Sequence, residues 1–106
     1  MQPTNSVYRI DSDTLVRRNE GQMSADLGGE MAILNLKTGT YFGLNEVGAR
    51  IWNFLSEDRT VREIRELIMQ EYAVDSSRCE QDIAKLLSEL AQHELVALVH
   101  VSNQKI

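Results

Sequence analysis

A single cysteine, Cys79, leaves no second thiol for an intramolecular disulfide and excludes zinc sites built from several cysteines. A reducing compartment follows, and the expected location is the cytoplasm. Proline is as scarce, with Pro3 alone, and the six glycines are dispersed, so no low-complexity linker divides the interior. No apolar run approaches the roughly 18 residues of a membrane span, and Met1 to Asp13 lacks the basic and apolar regions of a signal peptide. Positive charge is in deficit, 11 basic residues against 16 acidic for a net charge of −5, which repels phosphate backbones unless the cations gather on one face. Nucleic acid is therefore a disfavoured partner.

Catalytic groupings are missing too. His93 and His100 are separated across a helix-to-strand junction and do not form an i, i+4 metal pair, so both read as solvated or structural. Cys79 falls on an apolar helical stripe, where a small core residue is expected rather than a thiolate nucleophile. Gly28-Gly29, Gly39, Gly43 and Gly48 are too scattered to cradle a phosphate and read as turn glycines. Trp52 and Phe54, at helical spacing, read as core rather than as a base-stacking surface. The expectation is a protein without catalytic residues, metal or cofactor.

What is present is an ordinary globular composition, 42% hydrophobic and 25% charged over 106 residues, enough for one domain and too little for two. We expect a flexible arm over residues 1–13, the domain over 14–101 and a tail over 102–106. The first half reads as strands. Gln22 to Leu27, the Gly28-Gly29 turn, the apolar Met31 to Leu36 and the aromatic Thr40 to Leu44 make a three-stranded antiparallel meander. Thr14 to Arg18 adds an extended segment whose consecutive arginines suit a solvated edge or an arm.

From Asn45 the apolar period lengthens to that of a helix. Asn45 is an N-cap with Leu44 and Ala49 at staple positions, and Val47, Ile51, Trp52 and Leu55 mark one face of a helix ending near Ser56. Thr60-Val61-Arg62-Glu63 has capping-box form and opens a second helix that carries Val61, Ile64, Leu67 and Ile68 and ends near Tyr72. Asp75 or Ser77 caps the third and longest, striped by Cys79, Ile83, Leu86, Leu87 and Leu90, whose apolar side should face the sheet. Leu95 to Val101 can form a last strand. The fold class is α+β, a winged helix-turn-helix with a three-stranded antiparallel sheet followed by three helices. Such a fold suits either DNA or a peptide. The third helix holds Arg78 and Lys85 against Glu80, Asp82, Glu89 and Glu94, a net negative segment that points to peptide.

Leu27-Gly28-Gly29-Glu30, Thr38-Gly39-Thr40-Tyr41-Phe42-Gly43-Leu44-Asn45 and Val47-Gly48-Ala49-Arg50-Ile51-Trp52, followed by Thr60-Val61-Arg62-Glu63-Ile64, resemble the PqqD-like family over roughly residues 14–98. The family is also called the RiPP precursor peptide recognition element, RiPP standing for ribosomally synthesised and post-translationally modified peptide. The resemblance implies a stand-alone, non-enzymatic winged-helix domain that binds the leader segment of a precursor peptide and presents it to a leader peptidase or other modifying enzyme. The wording is more similar to members serving lasso-peptide biosynthesis than to the pyrroloquinoline quinone pathway protein.

The implied mechanism is strand addition of the leader to the edge Thr40, Tyr41, Phe42, Gly43 and Leu44, with selection by Asp82, Lys85, Leu86 and Glu89 of the third helix. Ile83 and Leu87 are expected in the core. Either Tyr41 or Phe42 lines the slot, and parity alone leaves this open. The domain should be a monomer or a weak homodimer without a membrane partner. Two further readings are a winged-helix nucleic-acid binder using Arg17, Arg18, Arg50, Arg59, Arg62 and Arg65, and a scaffold docking an enzyme through an apolar patch.

Overall fold

The computed structural model describes residues 10–99. In chain order these form β1 (Leu15–Arg18), β2 (Gln22–Asp26), β3 (Met31–Asn35), β4 (Thr40–Leu44), α1 (Glu46–Phe54), β5 (Arg59–Thr60), α2 (Val61–Glu71), α3 (Ser76–Gln92) and β6 (Val96–Val99). The expected meander is the antiparallel sheet β2-β3-β4, and the three expected helices follow it. A second antiparallel sheet, β5-β1-β6, joins the front of the chain to its end.

That second sheet corrects the reading of Thr14 to Arg18 as a solvated edge or arm. β1 is its central strand, paired with β6 from Leu15↔Val99 to Arg18↔Val96, and Val16 is fully buried. The two arginines differ because successive side chains take opposite faces. Arg17 points out to Asp58 at 2.8 Å, whereas Arg18 lies 4.4 Å above the Trp52 ring and donates to the Trp52 carbonyl. Burial lowers the Arg18 pKa from its ordinary value. The folded part also begins before residue 14. Ile10 packs on the core, and the Asp11 N–H donates to the Thr14 hydroxyl at 3.0 Å. Residues 1–9, most of the expected arm, lie outside the described residues, as do His100, Val101 and the expected tail.

Local chemistry sets the element ends. The Asp26 carboxylate accepts the Gly28 N–H at 2.9 Å, and Gly28 and Gly29 take φ of 80° and 105°, the left-handed region that favours glycine. Asn45 Oδ1 accepts the Gly48 N–H at 2.9 Å, capping α1. At Gly48 a Cβ would sit 3.1 Å from Leu44 Cδ2, a tight contact to which the leucine side chain would have to yield. The Thr60–Glu63 capping box forms reciprocally, a device contributing about 1 kcal/mol. Of the two candidate caps for α3, Asp75 takes the role, accepting the Arg78 N–H at 3.0 Å.

The core gathers Val16 and Ile33 from the two sheets, Trp52 from α1, Ile64 from α2, and Ile83, Leu87 and Leu90 from α3. The apolar stripe of α3 packs chiefly on α2 and β6 rather than on the β2-β3-β4 sheet, a second correction. β6 and α2 occupy that stripe, so α3 stands beside β4 without closing on it. Among the described residues no helix is long and apolar enough to cross a membrane.

Candidate functional site

Among the described residues β4 is the terminal strand of its sheet, and the hydrogen-bond phase determines what its outer side offers. The Leu36 N–H donates to Gly21 O at 2.9 Å and the Leu27 N–H to Glu30 O at 2.7 Å. Bonded and non-bonded pairs alternate along an antiparallel ladder, so even-numbered residues of this stretch face β2 and Met31, Ile33 and Asn35 face β4. Their partners Leu44, Phe42 and Thr40 spend their backbone groups inside the sheet. Tyr41 and Gly43 therefore turn their N–H and C=O groups outward. The space around the Gly43 Cα is open, with no atom within 4 Å of an added Cβ.

Side-chain parity divides the same strand. Phe42 and Leu44 face the helices, and Tyr41, 72% exposed, faces away. Of the two aromatics Phe42 is the one on the groove side, its ring centroid 5.0 Å from that of His93. Between β4 and α3, with α1 and the end of α2 as floor, lies a groove of about 510 Å³. Leu44, Ile51, Ile68, Ile83 and Leu86 make it apolar, and Asn45, Arg78, Asp82 and Glu89 line its polar parts.

Of the residues singled out from sequence, Phe42, Gly43, Leu44, Asp82, Leu86 and Glu89 line this groove together. Thr40, Tyr41 and Lys85 do not; all three are exposed, Tyr41 on the opposite face of the sheet and Lys85 off the groove side of α3. Ile83 is buried as expected and also walls the groove, while Leu87 is wholly core. Sequence reasoning missed Val47, Tyr72, Val74 and Arg78. Val47 and Ile51 share a helical face with the N-cap, a signal that could have been followed; Tyr72 and Val74 belong to the α2–α3 connection, whose path has no periodic signature.

The electrostatics suit binding. Along α3 the groove side carries Arg78, Asp82, Leu86 and Glu89 at spacings of four, four and three, an apolar saddle between charges. Arg78 Nε is 3.7 Å from Asp82, both exposed, a pair contributing little. Burial pushes the Cys79 thiol above its ordinary pKa, with Asp82 adding to the rise, which keeps it protonated and a poor nucleophile. Among the described residues no group of acidic, histidine or cysteine side chains is placed to hold a metal.

The opposite face of the sheet is unusual for a solvated surface. Its six positions are Met23 and Ala25 on β2, Ala32 and Leu34 on β3, and Tyr41 and Gly43 on β4, without one charged side chain. Met23, Leu34 and Tyr41 stand directly across from one another, with Met23 60% exposed. An antiparallel sheet with one wet face is ordinarily polar there.

Comparison with known proteins gives a consistent result. The family model described as coenzyme PQQ synthesis protein D (PqqD) matches residues 30–96. TbiB1 in complex with the TbiA(β) leader peptide is 41% identical, with TM-score 0.71, covering 76% of this chain and 93% of that one. A lasso peptide synthetase B1 complexed with the leader peptide is 24% identical, with TM-score 0.67 and coverage of 77% and 96%. The PqqD truncation of Methylobacterium extorquens PqqCD, described as a stand-alone RiPP recognition element, is 20% identical, with TM-score 0.71 and coverage of 84% and 95%. The last two share the fold. No curated protein matches.

Proposed function

Because the chain belongs to the PqqD family, we propose that it binds the leader segment of a ribosomally made precursor peptide as an added antiparallel strand on β4, for delivery to a processing enzyme. The observation that carries this is the outward N–H and C=O pair on Tyr41 and on Gly43, directly beside an apolar groove. TbiB1, the 41% identical relative, is bound to a leader peptide, which supports the same use here.

The two parts of the site divide the labour. Main-chain bonds, each about 0.5–1.5 kcal/mol net, grip any extended segment and are blind to its sequence. Leader residues opposite Phe42 and Leu44 project into the groove, where burying one leucine-sized side chain is worth about 1.5–3 kcal/mol and selects by shape. Asp82, Leu86 and Glu89 border that selection, Tyr41 contributes backbone only, and Thr40, whose backbone is spent on β3, stands outside it with Lys85.

Leader residues opposite Tyr41 and Gly43 project to the other face and extend its apolar row by one strand. We assign that widened face to the processing enzyme, which would then contact recognition domain and leader together. Bond making and breaking fall to that enzyme, and the domain binds and presents.

The nucleic-acid reading loses its cations. Arg17, Arg50, Arg62 and Arg65 pair with Asp58, Glu71, Asp13 and Glu80, Arg18 covers Trp52, and Arg59 donates to the Phe54 carbonyl. Calorimetric titration with leader peptides, TbiA(β) included, tests the proposal. Saturable binding with β-edge amide shifts at Tyr41 and Gly43 is expected; a bound leader that leaves those amides unshifted would overturn it.

A further inference from the structure

Asn35 is 4% exposed at the end of β3, one of two buried polar residues among those described. Its Oδ1 accepts the Lys37 N–H at 2.9 Å and the Thr38 N–H at 3.3 Å, which shapes the β3–β4 turn. Its Nδ2 donates in the other direction, to the His93 carbonyl at 2.9 Å, and His93 is the C-cap of α3. The end of that helix is also held by Asn19, whose Nδ2 donates to Glu94 O at 2.8 Å, and it closes on itself. Leu95 N–H returns to Leu90 O at 2.9 Å and Glu94 N–H to Ala91 O at 3.0 Å, a Schellman arrangement with Glu94 at φ 59°. The His93 carbonyl is left pointing at the hairpin, where Asn35 meets it.

Two further contacts cross at the same place. The His93 ring lies against Phe42, and Lys37 Nζ is 3.9 Å from Glu94. α3 packs chiefly on α2 and β6, and these contacts tie the turn end of the β3–β4 hairpin to the C-terminal end of the helix. We propose that Asn35 is a positioning residue, a latch that sets the spacing between the β4 edge and α3 and holds the groove at the width a leader needs. This rests on the leader-binding reading and adds to it how the site is preorganised.

A leader that must add to β4 and reach α3 at once binds only molecules whose groove has the right width. Its apparent affinity falls in proportion to the fraction so arranged. Without the latch, the turn end of the hairpin loses its tie to α3 while Met31, Ile33 and Leu44 stay in the core, and the His93 carbonyl loses its buried donor.

Asn35→Asp separates the two roles of the side chain. The carboxylate still accepts from Lys37 and Thr38 but cannot donate to His93 O, and it repels that carbonyl. Asn35→Ser, which keeps a turn-forming oxygen too short to reach His93, is the second variant should the aspartate unfold the domain. Spin labels at Met23→Cys and Lys85→Cys, in a Cys79→Ser background, report the sheet-to-α3 distance by pulsed electron resonance without any peptide.

The expected result is one narrow distance with Asn35, a broadened or lengthened distribution in the variants, and re-narrowing when TbiA(β) leader peptide is added, with an affinity loss of about tenfold. An unchanged distance distribution in a folded variant overturns the latch, as does a widened groove with undiminished leader affinity. A wild-type domain that does not bind the TbiA(β) leader would count against the binding reading alone, since the distance measurement decides the latch by itself.

Discussion

Proline at position 43 should separate binding from folding. The Gly43 N–H faces out of the sheet, so Gly43→Pro removes no intramolecular hydrogen bond, and the space around the residue is open. Proline also restricts the residue before it to extended backbone, which Phe42 already adopts in β4. The ring also draws φ toward about −65° from the more extended strand value, so the expected loss of folding stability is about 1 kcal/mol. Binding should respond differently. The leader loses one main-chain bond, and its carbonyl is desolvated against a ring with nothing to accept from, a combined cost of about 1–3 kcal/mol or roughly 5- to 150-fold in Kd. Gly43→Ala keeps the N–H and should bind within about twofold of wild type, since its Cβ enters empty space. Phe42→Pro is the opposite control, because that N–H belongs to the β3–β4 ladder and its loss costs on the order of 3 kcal/mol of fold. Fluorescence anisotropy with a labelled leader, beside a thermal melt of each variant, measures both quantities. A folded Gly43→Pro domain with wild-type affinity would refute strand addition at this edge.

Other substitutions address the remaining surfaces. Leu86→Glu puts a carboxylate on the apolar saddle while Ile83, Leu87 and Leu90 keep the core of α3, so titration should show leader affinity falling about tenfold with the melt little changed. Met23→Lys charges the outer sheet face far from the β4 edge; leader affinity should stay put while leader removal by the partner enzyme, followed by mass spectrometry, slows severalfold. Arg50 hydrogen-bonds Glu71 at 2.9 Å across α1 and α2 and holds its carboxyl below the ordinary glutamate value. With the folded pKa depressed, this stabilisation is complete above the unfolded pKa and disappears as pH falls through the folded one. NMR titration should place the Glu71 midpoint low, and Arg50→Gln should return it to the ordinary range.

Local rules reached the hairpin at Gly28-Gly29, the Asn45 cap, the Thr60–Glu63 box and the three helices because each is decided within a few residues of chain. The same rules misplaced β1. Consecutive arginines look like a wet strand until one finds an aromatic ring to cover, and Trp52 is 34 positions away. They also left Tyr41 and Phe42 undecided, since both are aromatic and strand-forming. Asn35 fell inside the expected strand Met31 to Leu36 with no role of its own, and its bond to His93 spans 58 positions.

By itself the sequence determined the α+β class, a three-stranded meander ahead of three helices, and a deficit of cations. Those properties follow from composition, period and capping, which are local or additive. Only the tertiary structure decided that β4 is the edge of its sheet among the described residues, that Tyr41 and Gly43 hold its outward groups, and that α3 stands off to leave a groove. Each depends on register and on which helix faces find each other, and a register shifted by one residue would exchange every inward and outward group on the strand.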